Sequence, residues 1–160
     1  RAPGEAAGRA RCAGRIWACL ATVGGPLPPG VRRKKTVGRM APYLQAYGDL
    51  MVETNRWDRA ALAAFRSSDA VTSIPGAIDD IATTEQLERV AEVIPDEWLA
   101  AAATGTPDQC ADTIQRQFEL GATGVILHGA TPVELEPILD AYRARRDANG
   151  FAHLSPNPAR

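Results

Sequence analysis

The sequence predicts an α/β fold made of parallel strand-helix units. Three observations carry this. Short apolar runs recur at 16–23, 101–104 and 125–127, of strand length and bounded by turn residues. Amphipathic segments with helical spacing lie between and after them. Thr-x-x-Gln and Thr-x-x-Glu, at Thr106/Gln109 and Thr131/Glu134, mark capped helix starts directly after the second and third runs. With 160 residues, 45% of them hydrophobic and 23% charged, the chain can bury a core and is neither disordered nor fibrous.

Residues 5–11 read as a helix end with Gly14 as its C-cap. The run 16–23, IWACLATV, is apolar on both faces, as a buried parallel strand is, and Gly24, Gly25 and Pro26 close it. The turn cluster 26–30 leads into a helix over 31–47. Val37, Met40, Leu44 and Tyr47 recur along it, and Pro42 marks a break or a second start. A further helix over 57–65 puts Trp57, Ala61, Leu62 and Phe65 on one face, and a loop follows through Ser73, Pro75 and Gly76. This helical insertion, over 26–80, is longer than a barrel crossover requires.

Helix returns over 84–93, with Leu87, Val90 and Ala91 inward and Pro95 as its stop. A short helix at 96–100 precedes 101–104, a weak strand because alanine has little strand preference. In the next helix Thr106 caps, Pro107 fills the first turn and Gln109 completes a capping box. Cys110, Ile114 and Phe118 share its buried face, Asp112 and Arg116 pair outside, and Gly121 ends it. After the strand at 125–127, a last helix opens on Thr131 and Glu134 and turns Leu135, Ile138, Leu139 and Tyr142 inward. Arg143, Arg145 and Arg146 suit its C-terminal dipole, and Pro137 requires a kink or a later start. The tail 151–160 reads as disordered. With three strands, the pattern alone fits a small open α/β sheet as well as part of a barrel.

Eighteen basic against nineteen acidic residues give a formal charge of -1. That supplies no field to recruit nucleic acid or an anionic membrane, and a small molecule is the expected partner. Cys12, Cys19 and Cys110 form no CxxC pair, and His128 and His153 are the two histidines, so no zinc or iron-sulfur site is expected. Scattered cysteines and the lack of a membrane-length apolar run read as cytoplasmic. The chain opens on arginine without a signal-peptide core, which reads as truncation. An organellar presequence is the alternative, without the serines such peptides carry.

The stretch IPDEWLAAAATGTPDQCADTIQRQFELGATGVILHG resembles the C-terminal end of luciferase-like monooxygenases and their relatives that use coenzyme F420. The family's Gly-Thr/Ser-Pro helix opening corresponds to Gly105, Thr106 and Pro107, and its Leu-Gly-Ala/Val turn to Leu120, Gly121 and Ala122. RIWACLATV is similar to the strand two units earlier, and KKTVGRMAPYLQAYG to the family's helical insertion. The resemblance covers about 15–146, and its motifs are chiefly structural. It implies the C-terminal part of a (β/α)8 TIM barrel, about strands 6 to 8, as a partial domain over 1–150. It also implies a flavin- or F420-dependent oxidoreductase or monooxygenase with FMN or coenzyme F420 as cofactor. The full-length parent is compatible with a homodimer. The early strands, which hold much of the ring, are missing, so this chain would keep one flank of the pocket and be inactive alone. A non-catalytic half-barrel assembly module and a small α/β ligand-binding domain are the rival readings.

Barrel sites lie at the C-terminal ends of strands, which makes Thr22, Gly24, His128 and Gly129 the candidate cofactor-binding residues. His128 offers a ring donor, and Gly129 and Ala130 let backbone N–H groups approach a ligand. The helix starts at Thr106 and Thr131 offer unpaired N–H groups to an anion, or are ordinary caps. Arg32, Arg33, Lys34 and Lys35 either meet the anionic tail of a deazaflavin or form a solvated helix face. Where related sugar-phosphate dehydrogenases carry cations on the late strands, this chain has Cys19 and Leu99, which argues against a phosphorylated sugar. Cys19 is expected to pack in the interior, and Trp17, Trp57 and Trp98 to be core or helix-packing residues, although one of them near the mouth would suit an apolar substrate. No acid, base or nucleophile constellation is visible, so no catalytic residue is assigned.

Overall fold

The computed structural model describes residues 15–146. The helix expected at 5–11, Cys12, His153 and the tail 151–160 lie outside them. Three strands form one parallel sheet: β1 (Trp17–Gly24), β2 (Ala103–Gly105) and β3 (Gly124–His128). Their order is β2-β1-β3. Three consecutive strands of a (β/α)8 barrel would place β2 in the middle. Here β1 is central instead, and the sheet is a small open one. The lengths explain the arrangement. β1 has eight residues and can pair along both edges, whereas the alanine-rich β2 has three and satisfies few backbone groups on either side.

Seven helices lie between β1 and β2: α1 (Pro29–Arg33), α2 (Arg39–Asn55), α3 (Arg59–Ser67), α4 (Asp69–Thr72), α5 (Ile78–Ile81), α6 (Thr84–Ala91) and α7 (Asp96–Leu99). A π turn over Lys34–Gly38 joins α1 to α2, so helix runs without interruption from Pro29 to Asn55. Pro42 neither breaks it nor starts it. Its ring would crowd the Gly38 carbonyl four residues back, and the wider π turn ends there.

The helical layer has its own core of Val37, Leu44, Phe65, Ile78, Val90 and Trp98, among others. It continues past residue 80, because Leu87 and Val90 of α6 and Trp98 of α7 pack into it. A second core joins the sheet to α8 (Pro107–Glu119) and α9 (Pro132–Arg145), with Leu20, Ala103, Cys110, Ile114 and Ile138 buried together. α8 carries the chain from β2 past β1 to β3.

Three capping boxes start α6, α8 and α9, with reciprocal bonds between Thr83 and Gln86, Thr106 and Gln109, and Thr131 and Glu134. α9 runs through Pro137. The carbonyl left without a donor is that of Val133, a residue 79% exposed near the helix start, where water can bond to it. Asp112 does not pair with Arg116 along α8. It bonds to Arg145 of α9, which also holds Asp108, so two carboxylates of α8 share one guanidinium across the helix pair.

The alternation of β1 is one-sided in its effect. Leu20, Thr22 and Gly24 point to α8 and α9 and are buried, whereas Trp17 and Cys19 on the other face are exposed. Both expectations of burial for those two residues are overturned. The helical layer covers only the C-terminal half of that face, leaving Trp17 59% and Ile126 49% exposed. Among the described residues no helix is long and apolar enough to cross a membrane.

Candidate functional site

The parallel register sets Ala21 beside His128 and Cys19 beside Ile126, so the C-terminal ends of β1 and β3 open side by side. Open α/β sheets bind ligands in the crevice outside these strand ends. A cleft of about 290 Å³ opens on the sheet face beside the middle of β1 and the end of β3. Cys19, Ala21 and His128 form its sheet wall, and Lys35, Arg39, Met40 and Tyr43 face them from the π turn and α2. Met51, Trp98 and Leu99 make the apolar end.

The polar end is held by a short network. Lys35 Nζ donates to both Glu134 carboxylate oxygens, at 2.7 and 2.8 Å, and to the Gly129 carbonyl at 3.1 Å. Glu134 also accepts from the Thr131 N–H at 2.6 Å as part of its capping box. Lys35 first, then the Thr131 contacts, hold the Glu134 carboxyl well below its ordinary value, at about 2. Arg39 Nη1 lies 3.3 Å from His128 Nδ1. With the guanidinium donating, Nδ1 accepts and Nε2 is left as the outward ring donor. Gly129 has φ +85, and a Cβ there would collide with the Arg39 guanidinium. Gly129 therefore serves twice: it supplies the turn after β3 and makes room for Arg39.

His128 lines the cleft, and Gly129 follows it with its carbonyl bonded to Lys35. Thr22 and Gly24 do not line the cleft. Thr22 is fully buried and donates its hydroxyl to the Leu20 carbonyl. A Cβ on Gly24 would meet Cys110 Sγ at 2.6 Å and Ile138 Cδ1 at 2.8 Å, so this glycine admits α8 and α9 against the sheet. Both belong to the far face, because side chains of successive strand residues alternate. The basic cluster is partly consumed inside the protein. Arg32 bonds to the Gly25 carbonyl, Arg33 to Glu88 and Lys35 to Glu134.

Arg39, which the sequence reading passes over, has no carboxylate within ion-pair distance among the described residues. It belongs to a stripe, Val31, Lys35, Arg39, Tyr43 and Tyr47, that lines a more open groove of about 700 Å³ continuous with the cleft. A repeat of four residues outruns the 3.6-residue turn, and the wider π turn takes up part of the difference. That period was the available signal. The groove is thus lined by the cations Lys34, Lys35 and Arg39, by the Tyr43 and Tyr47 rings, centroids 6.4 Å apart, and by the carboxylate of Asp79.

Trp98 is fully buried, stacks on Trp57 at 4.9 Å and 12°, and has no hydrogen-bond partner for its Nε1–H among the described residues. Those residues also bring together no group of three or more His, Cys, Asp or Glu able to hold a metal ion. Cys110, beneath β1, is pushed up in pKa by burial, with Arg32 acting weakly the other way. Comparison with protein-family models, curated protein sequences and solved structures finds no match.

Proposed function

We propose that this chain is the C-terminal part of a flavin- or deazaflavin-dependent oxidoreductase of the luciferase-like class, acting on a small organic substrate. The cleft beside β1 and the end of β3 would be the flank of the cofactor pocket that this chain supplies. The observation that carries the reading is the placement of half-buried Arg39 and exposed His128, held together over Gly129, beside a groove lined by cations, tyrosines and Asp79.

The residues present suit one side of such a cofactor. Arg39 and Lys34 offer charge to a phosphate or to the acidic tail of coenzyme F420. His128 Nε2 offers a donor to a ring carbonyl, and Tyr43 offers an aromatic face. FMN or coenzyme F420, when bound, supplies the hydride chemistry, while the chain's own residues bind and orient it. Thr22 and Gly24 have no part in this version of the site.

The (β/α)8 architecture belongs to the proposed parent and carries a structural condition. β3 would have to leave β1 and pair with the free edge of β2 for the strands to run in consecutive order. A second reading, favoured by the β2-β1-β3 order and the exposed Trp17 and Ile126, is a non-catalytic assembly module or a small ligand-binding domain.

Equilibrium dialysis of FMN and coenzyme F420 against the product of the whole reading frame separates them. Submicromolar binding of one cofactor, worth more than about 8 kcal/mol, supports the oxidoreductase. The 160-residue chain alone should bind more weakly. Failure of both cofactors to bind the whole product would leave the module reading.

A further inference from the structure

We infer that the outer face of α2 pairs with the same face of a second copy of this chain, the two helices running antiparallel about a twofold axis at Ala46. The inference goes beyond the proposed function and does not depend on a cofactor. α2 buries Ala41, Leu44, Gly48 and Val52 against the helical layer. On its other side Arg39, Tyr43, Ala46, Leu50 and Glu53 recur at alternating steps of four and three, the spacing of a helix-helix seam. Tyr43 is 53% and Leu50 64% exposed. Ala46 and Glu53 are exposed as well, and Arg39 is half-buried.

The seam is complementary to itself, and that selects a second copy as its occupant. Reversed about Ala46, Tyr43 comes level with Leu50 of the second copy, and Arg39 with its Glu53. Ala46 meets its own counterpart, and its small side chain lets the helices close. A parallel pair would instead set Arg39 against Arg39 and Glu53 against Glu53. Glu53 has no ion-pair partner among the described residues, and Arg39 contacts His128 through one guanidinium nitrogen, which leaves the others to donate. The groove along the first half of α2 receives the second half of its counterpart. Lys35 in that groove is already bound to Glu134, so Lys34 and Arg39 face the single carboxylate of Asp79 and leave a positive balance for Glu53 of the second copy. One helix pair is smaller than a standard interface, so the dimer should dissociate in the micromolar range.

Disulfide capture tests the geometry. The 160-residue chain is used with Cys12 and Cys19 replaced by Ser, and with Ile126→Lys to suppress contact through the sheet face. Ala46→Cys lies on the axis and should form an intermolecular disulfide under mild oxidation. Thr54→Cys, exposed on the same helix about two turns further along, would stand about 24 Å from its own counterpart and should not. Sedimentation of the same chain without the added cysteine tests the charges. Glu53→Arg should weaken the dimer at least about tenfold, and Arg39→Glu combined with Glu53→Arg should restore it.

No capture at Ala46→Cys, or equal capture at Thr54→Cys, would overturn the inference. So would a monomer at all concentrations, an undiminished dimer in Glu53→Arg, or a charge swap that fails to restore the association.

Discussion

At the residue scale, glycines and cysteines distinguish the two faces of the sheet. Gly25 and Gly129 both have positive φ, +84 and +85, but a Cβ on Gly25 would meet nothing within 4 Å. Gly25→Ala should therefore cost only the conformational term, about 1 kcal/mol. Gly129→Ala adds displacement of Arg39 and should lower Tm further, which paired thermal melts will show. Cys19 and Cys110 make a second contrast. Alkylation with iodoacetamide followed by peptide mass spectrometry should find Cys19 modified well before Cys110, because burial disfavours the Cys110 thiolate. Comparable labelling of both would mean that α8 does not seal the sheet. His128 and Gly129 were legible because they end an apolar strand. Arg39 was not, because its partners, His128 and the turn at Gly129, are some 90 positions away in sequence.

At the element scale, helix boundaries were the best-specified feature. Thr106/Gln109 and Thr131/Glu134 form the expected capping boxes, since their reciprocal bonds are local and need no tertiary partner. The prolines misled. Pro42 and Pro137 both sit inside continuous helices, and neither the π turn before Pro42 nor the exposed start of α9 is written in a local motif. Glu134 ties two elements together, capping α9 and holding Lys35 of the π turn. Its pKa is depressed in the folded chain, so its contribution is present above the ordinary carboxylate value near 4.5 and is lost as pH falls toward about 2. Between those limits stability should decline with acid. Glu134→Gln keeps an acceptor for the cap but removes the ion pair, and its melts should show a shallower decline over that window. An unchanged pH profile would show that the Lys35 contact is not maintained in solution.

At the scale of the whole molecule, the α/β class and the parallel pairing followed from strand-length apolar runs separated by helices. The strand order did not. Pairing partners depend on which edges are free, and a sequence pattern of alternating elements is the same for a consecutive barrel order and for β2-β1-β3. The open sheet leaves Trp17 and Ile126 exposed on one face, on the N-terminal half of β1 and on β3. Such a face invites self-association. Sedimentation should show concentration-dependent association of the 160-residue chain, reduced by Ile126→Lys, and a monomer at all concentrations would count against it. The proposed cofactor flank rests on Arg39 and His128. It is tested most directly by cofactor affinity of the whole-frame product with His128 replaced by Ala and by Gln, measured beside Arg39→Ala. His128→Ala and Arg39→Ala should each weaken FMN or coenzyme F420 binding by about tenfold or more, near 1.4 kcal/mol, and His128→Gln should recover part of the loss. Wild-type affinity in all three variants would contradict it.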